Sequence, residues 1–193
     1  MSRVIVVTGI PGTGKTTVCN ETLKLAEQTR KKIRATNYGS IMVELCRKRG
    51  KPLDRDELRR SGLAFQRELQ AEAAKIISKK TREVKGELIV DTHMSIKTAN
   101  GYFAGLPFHV LQLLNPDIFI LVEAEPHEVL SRRLKGRTRR RDKVLEDEIM
   151  EEILFSRLMA ATCAVLTGTS VKIVKNPAGK RIEAAEEILK LLV

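Results

Sequence analysis

The 193-residue chain contains no tryptophan, and its aromatic content is 4%. Proteins that bind single-stranded nucleic acid stack bases on aromatic side chains, so such a surface has little to be built from here. Cysteine is scarce as well. Cys19, Cys46 and Cys163 are odd in number and far apart, which fits neither a disulfide framework nor a paired zinc site. They are expected as small buried hydrophobes, in a chain kept in a reducing cytoplasm. No apolar run approaches the ~20 residues of a membrane span. After Met1-Ser2-Arg3 comes only Val4 to Val7, too short for a signal-peptide core, so no membrane partner is expected. Glycine (12) and proline (6) are not in excess, which argues against a disordered, low-complexity chain.

Charge is abundant: 31% of residues are charged, with a formal net charge of +11. That excess implies anionic partners, whether nucleic acid, a membrane surface or phosphorylated metabolites. Charge alone does not choose among them.

The hydrophobic pattern alternates between strands and helices. Val4 to Thr8 reads as a buried parallel strand, followed by a helix from Lys15 to Arg30. Ile33 to Asn37 is a second strand, and Gly39 to Lys48 a second helix. Asp54 with Glu57 forms a capping-box pattern and opens a helix carrying Leu58, Leu63, Phe65 and Leu69 towards Ile77. Leu88 to Val90 is a third strand, ending in Asp91. Gly101 to Pro107 reads as a loop. Ile118 to Val122 is a fourth strand, with Pro126 placed for a first helical position. A long helix spans Leu145 to Leu166, Val171 to Val174 is a fifth strand, and Ile182 to Leu192 a terminal helix. The pattern predicts an α/β fold: three layers, α/β/α, around a central five-stranded parallel sheet. One domain over residues 1–193 is expected, with insertions at about 38–69 and 132–143.

Gly9-Ile10-Pro11-Gly12-Thr13-Gly14-Lys15-Thr16 fits G-x-x-x-x-G-K-[ST], and Thr17 follows. Glycines let the backbone wrap so that N–H groups aim at phosphate oxygens. The helix opening near Lys15 adds its positive dipole end. Lys15 is expected on the β- and γ-phosphates and the Thr16 hydroxyl on magnesium. The motif predicts a P-loop NTPase fold but does not name the reaction.

Asp91, at the end of a buried strand near that loop, is a candidate to hold magnesium through water, or merely caps a turn. His93 either contacts substrate or caps; His109 and His127 read as structural. The run from Arg132 to Lys143 includes Arg137, Arg139 and Arg141. It is either a solvated or nucleic-acid-binding face, or a lid that brings guanidinium groups over a triphosphate. It has no aromatic residue, which favours the lid. Arg157 either points back to the site or solubilises its helix. The insertion from Tyr38 to Leu69 carries Arg59 and Gln66. It either grips a second phosphate-bearing substrate or is an exposed amphipathic helix.

Taken together, these residues resemble the archaeal-type adenylate kinases, P-loop kinases of nucleoside monophosphates. The likeness rests on the loop from Gly9 to Thr17, Asn37-Tyr38-Gly39, Asp54 to Arg59, Asp91-Thr92-His93, Gly101-Tyr102 with Gly105-Leu106-Pro107, Asn115-Pro116, and Thr138-Arg139 with Arg141-Asp142. The resemblance implies magnesium-dependent transfer, ATP plus AMP giving two ADP. It implies an AMP region at about Tyr38 to Leu69, including Tyr38, Gly39 and Gln66, with Arg59 on the AMP phosphate and Thr92 and His93 in the same pocket. Arg132, Arg137, Arg139 and Arg141 would belong to a short lid. The catalytic candidates are Lys15, Arg132, Arg139, Arg141 and Arg157. Asn176 to Gly179 would lie by the donor base, and a homotrimer is implied. One departure stands out. Bacterial and eukaryotic adenylate kinases carry Asp-Gly-Phe-Pro-Arg where this chain has Asp91-Thr92-His93-Met94-Ser95, so another group must replace that arginine. A kinase for another monophosphate or small metabolite, a plain ATPase, and a nucleotide-dependent nucleic-acid module are the alternatives. No nucleic-acid partner is expected despite the charge.

Overall fold

Residues 2–98, 101–134 and 142–192 are described by the computed structural model. The first strand, β1 (Arg3–Thr8), shows how the core is divided. Side chains alternate across a strand, so Val4 and Val6 enter one buried cluster and Ile5 and Val7 enter another.

The chain then runs through α1 (Lys15–Gln28), β2 (Ile33–Asn37), α2 (Tyr38–Lys48), α3 (Arg55–Arg60), α4 (Leu63–Glu83) and β3 (Glu87–Asp91). It continues through β4 (Ser95–Thr98), β5 (Gly101–Ala104), α5 (Phe108–Leu114), β6 (Ile118–Glu123) and α6 (Pro126–Arg133), and ends with α7 (Asp142–Thr167), β7 (Ser170–Lys175) and α8 (Arg181–Leu191). The five long strands form one parallel sheet in the order β2-β3-β1-β6-β7. Helices α1 and α8 cover one face. Helices α2, α4, α5 and α7 cover the other. This is the expected α/β/α architecture.

Register aligns the strand ends that matter. Asn37 of β2 stands beside Asp91 of β3, which stands beside Val7 of β1. The residues following β1 therefore emerge at the carboxyl edge of the sheet, where open α/β sheets bind ligands.

Two expected features are corrected. The single helix from Asp54 towards Ile77 is two helices, broken at Ser61-Gly62, both in extended conformation. Ser61 donates its hydroxyl to the Leu58 carbonyl at 2.7 Å. A side chain that bonds its own backbone and a glycine that gives up much entropy both compete with a helix interior. The expected loop from Gly101 to Pro107 contains β5, which pairs antiparallel with β4 from Ser95↔Ala104 to Thr98↔Gly101. Four-residue strands are too short to announce themselves by alternation. The hydrophobic pattern gives no separate signal for helix α5. It ends on Asn115 at φ 44, a left-handed cap that asparagine tolerates. The three cysteines are buried and free, and burial pushes the Cys19 thiol up to about 12.

Candidate active site

The loop between β1 and α1 is shaped from within. Thr13 is buried and turns its hydroxyl onto the Ile10 carbonyl, 3.1 Å away. A side chain at Gly9 would strike the Val122 carbonyl of the neighbouring strand, so only glycine lets β1 leave the sheet there. Gly14 caps α1 at φ 82, in left-handed conformation. Gly9 and Thr13 thus set the loop's shape, whereas Ile10, Pro11, Gly12, Gly14, Lys15, Thr16 and Thr17 line a cavity of about 460 Å³.

At the floor of that cavity Asp91 is buried and collects three donors. Lys15 Nζ reaches its Oδ1. Thr16 Oγ1 and Asn37 Nδ2 each donate to its Oδ2 at 2.9 Å. A buried carboxylate is tolerable when paired and hydrogen-bonded in this way. The Lys15–Asp91 pair joins the loop to the strand end expected to serve magnesium.

The same cavity is lined on its far side by Tyr38, Gly39, Met42, Leu58, Arg59 and Gln66, and between the two sides by Thr92 and His93. Helix α4 brings Gln66 inward because its buried stripe runs Gln66, Leu69, Gln70, Ala73, Ala74, Ile77, a helical period. The Gln66 amide donates to the carbonyls of Ser61 (2.8 Å) and Arg59 (3.2 Å), so it also braces the break between α3 and α4. Tyr38 donates to the Gln70 carbonyl at 2.6 Å. His93 Nδ1 lies 2.8 Å from the Gly9 carbonyl. A carbonyl only accepts, so Nδ1 carries the proton and Nε2 is left as an acceptor. Burial, reinforced by the Lys15 charge, lowers the His93 pKa to about 4, and the ring is neutral at pH 7. His109 and His127 are exposed on α5 and α6.

Arg132 lines the cavity, but its guanidinium is engaged with backbone, donating to the Thr13 carbonyl at 3.0 Å and the Asn176 carbonyl at 2.9 Å. Asn176 is buried and donates its own amide to Thr13 O at 2.7 Å. Arg157 is not brought to the cavity. It forms a two-pronged pair with Glu123, at 2.7 and 2.6 Å, and Lys175 adds a third contact at 3.0 Å. Burial opposes charge on Glu123, yet Arg157 and Lys175 hold its carboxyl below the ordinary range. Arg137, Arg139 and Arg141 lie outside the described residues.

A family model described as an AAA domain matches residues 8–150. An adenylate kinase of Methanocaldococcus jannaschii is 41% identical to this chain, covering 99% of it and 98% of the relative. Another, of Methanopyrus kandleri, is 42% identical over 98% of this chain and 97% of its own. The chain belongs to the adenylate kinase family. It is a phosphotransferase with a nucleotide-binding P-loop. Among solved structures, shikimate kinase from Acinetobacter baumannii in complex with shikimate matches with a TM-score of 0.61 over 99% of this chain and 93% of that one. At 15% identity it shares the fold.

Three residues of this adenylate kinase family site were not singled out for roles from sequence. Arg55 lines the cavity, Asn37 bonds Asp91, and Arg133 donates to the Pro11 carbonyl at 2.8 Å while gripping Glu152. Asn37 carried a signal, since it ends a strand and precedes a helix, the position of an N-cap. Arg55 and Arg133 sit among other arginines, and sequence spacing does not tell a braced arginine from a solvated one.

Proposed function

We propose that the protein catalyses reversible phosphoryl transfer between ATP and AMP, yielding two ADP. The observation that carries this is the continuity of one cavity from the P-loop to the arginine-bearing α3. Such a cavity has room for a donor's phosphates at one end and an acceptor at the other. Adenylate kinase relatives of nearly full coverage support the same reading.

The chemistry needs no general base. An AMP phosphate oxygen is already anionic; it attacks the γ-phosphorus of ATP, and the bond from that phosphorus to the bridging oxygen of the β-phosphate breaks. Catalysis is placement and charge neutralisation. Loop amides and Lys15 hold the donor phosphates, as the arrangement around Gly12, Gly14 and Lys15 supports. Arg59, with Tyr38, Gly39, Gln66, Thr92 and His93, forms the acceptor side, and residues about 38–69 serve as the acceptor-binding insertion. Residues about 132–143 serve as a short lid whose Arg137, Arg139 and Arg141 cover the transferred group and exclude water. Arg132 and Asn176 stiffen the loop beside the donor base. Arg157 acts through Glu123 rather than on phosphate.

Magnesium accompanies the donor. Thr16 Oγ1 and Asp91 fit a hard cation, being oxygen donors 2.9 Å apart. Among the described residues no group of three His, Cys, Asp or Glu forms a metal cage, so most of the ion's ligands come from phosphate and water, as magnesium prefers. When bound, the ion offsets charge on the phosphates. A cytoplasmic homotrimer is proposed as the working form. Exposed Met150, Leu154 and Leu158 at four-residue spacing on α7, with Val165 and Leu166 beyond them, support contact between copies.

The test is chromatographic measurement of ADP from ATP, AMP and magnesium, omitting each in turn and replacing AMP by GMP, CMP and UMP. ADP should form only with all three present. Turnover without AMP would instead make the protein an ATPase.

A further inference from the structure

Arg55 and Arg59 lie one turn apart on α3, so their side chains leave the same face of the helix, and both line the cavity. Their surroundings differ. Arg59 has a carboxylate 3.1 Å away, on exposed Asp56. Arg55 forms no ion pair among the described residues. Its Nη2 donates to two neutral oxygens, Asn37 Oδ1 and Ser40 Oγ, each at 2.9 Å. It is a cation aimed by neutral acceptors at the mouth of a phosphate-binding cavity, with guanidinium N–H groups to spare.

Asn37 is what aims it. Its Oδ1 also accepts from the Ser40 N–H at 2.9 Å, capping α2. Its Nδ2 donates to Asp91 Oδ2, the oxygen that Thr16 also meets. Sheet register holds Asn37 beside Asp91. One short side chain therefore ties a cavity arginine on α3 to the carboxylate beneath the P-loop, and so fixes the span between the two ends of the cavity.

The geometry points to Arg55 as a second arginine for the acceptor's phosphate monoester, with Asn37 as the positioning residue that sets its distance from the Asp91 end. This rests on the two-substrate reading above. It also supplies the replacement for the arginine missing after Asp91: positive charge arrives from α3 instead of from the segment following β3.

Arg55→Gln tests the first half, because glutamine keeps a polar, helix-compatible side chain at this position but carries no charge. Calorimetric titration with AMP, without ATP or magnesium, should show affinity reduced at least about tenfold, the scale of one charge-assisted hydrogen bond. Adenosine binding, the melting temperature and KM for ATP should stay near wild type. AMP affinity equal to wild type in Arg55→Gln overturns the assignment. Asn37→Ser tests the second half, since serine caps a helix about as well as asparagine but is too short to span Asp91 and Arg55. A fall in both AMP affinity and kcat, at unchanged melting temperature, supports a positioning role. A lowered melting temperature with kcat and KM unchanged makes Asn37 a helix cap alone and overturns it. If wild-type protein uses AMP and both variants match it, this inference fails alone. If wild-type protein accepts no nucleoside monophosphate, the two-substrate reading fails, and this inference with it.

Discussion

Lys15 and Arg157 carry the same charge and meet carboxylates in different settings. Lys15 and Asp91 are both buried and line the cavity, where under the proposed function an incoming phosphate would compete for the lysine. Arg157 is partly exposed, and Glu123 is buried behind the loop, where the pair ties α7 to the end of β6. Lys15→Ala should therefore abolish turnover with the fold intact, as circular dichroism and a kinetic assay would show; full activity would remove Lys15 from the donor site. Arg157→Ala should cost stability first, about 2 kcal/mol for a charge-assisted pair, read by urea denaturation. Loss of kcat without loss of stability would instead return Arg157 to the reaction. The Glu123 pair also carries a pH signature. A carboxyl held below its ordinary range contributes stability that is complete above the range of a free glutamate and is lost as pH falls through the folded-state value. Acid unfolding should be less steep in Glu123→Gln than in wild type, and identical profiles would contradict the pairing. At this scale the sequence was legible where a motif fixes geometry, as from Gly9 to Thr17. It was illegible for Arg157, because a helix position does not say which strand end the side chain will meet.

Helix α6 ends in two arginines that hold the P-loop from both sides. Arg132 takes the Thr13 and Asn176 carbonyls, and Arg133 takes Pro11 O while pairing with Glu152 of α7 through two contacts, at 3.2 and 2.7 Å. The loop is therefore stiffened by the helices flanking the basic segment, not by its glycines. Arg133→Ala should raise KM for ATP several-fold and leave KM for AMP near wild type, with Glu152→Gln giving a weaker change of the same kind. A change confined to AMP would contradict the brace. Elements were legible where periodicity runs long: the parallel strands, α1, α7 and α8 fall within a few residues of expectation. The β4–β5 hairpin was not. What holds it is tertiary: Tyr102 stacks on Phe155 of α7 with ring centroids 4.2 Å apart, and Lys97 meets Glu148 at 3.2 Å. The Ser61-Gly62 break was visible as residues, but the apolar positions on either side keep a helical rhythm that masks it.

Across the whole molecule, order β2-β3-β1-β6-β7 gathers the loop after β1, the start of α2 and the end of β3 at one sheet edge. That architecture is legible in the sequence because buried parallel strands are continuous apolar runs. The cavity's continuity is not, because it depends on how α3 and α4 pack. The net charge of +11 suits a protein whose ligands are phosphate-rich. The exposed apolar residues of α7 bear on the proposed assembly: if copies associate through this face, Leu158→Glu should lower the mass seen in sedimentation equilibrium, and unchanged mass would move the contact elsewhere. The central claim is that one cavity passes a phosphoryl group directly between two nucleotides. It is tested most directly by following label from the γ-phosphate of ATP in the presence of AMP and magnesium. The account predicts that label appears as the β-phosphate of newly formed ADP. Label released instead as inorganic phosphate, at the same rate with or without AMP, would contradict it.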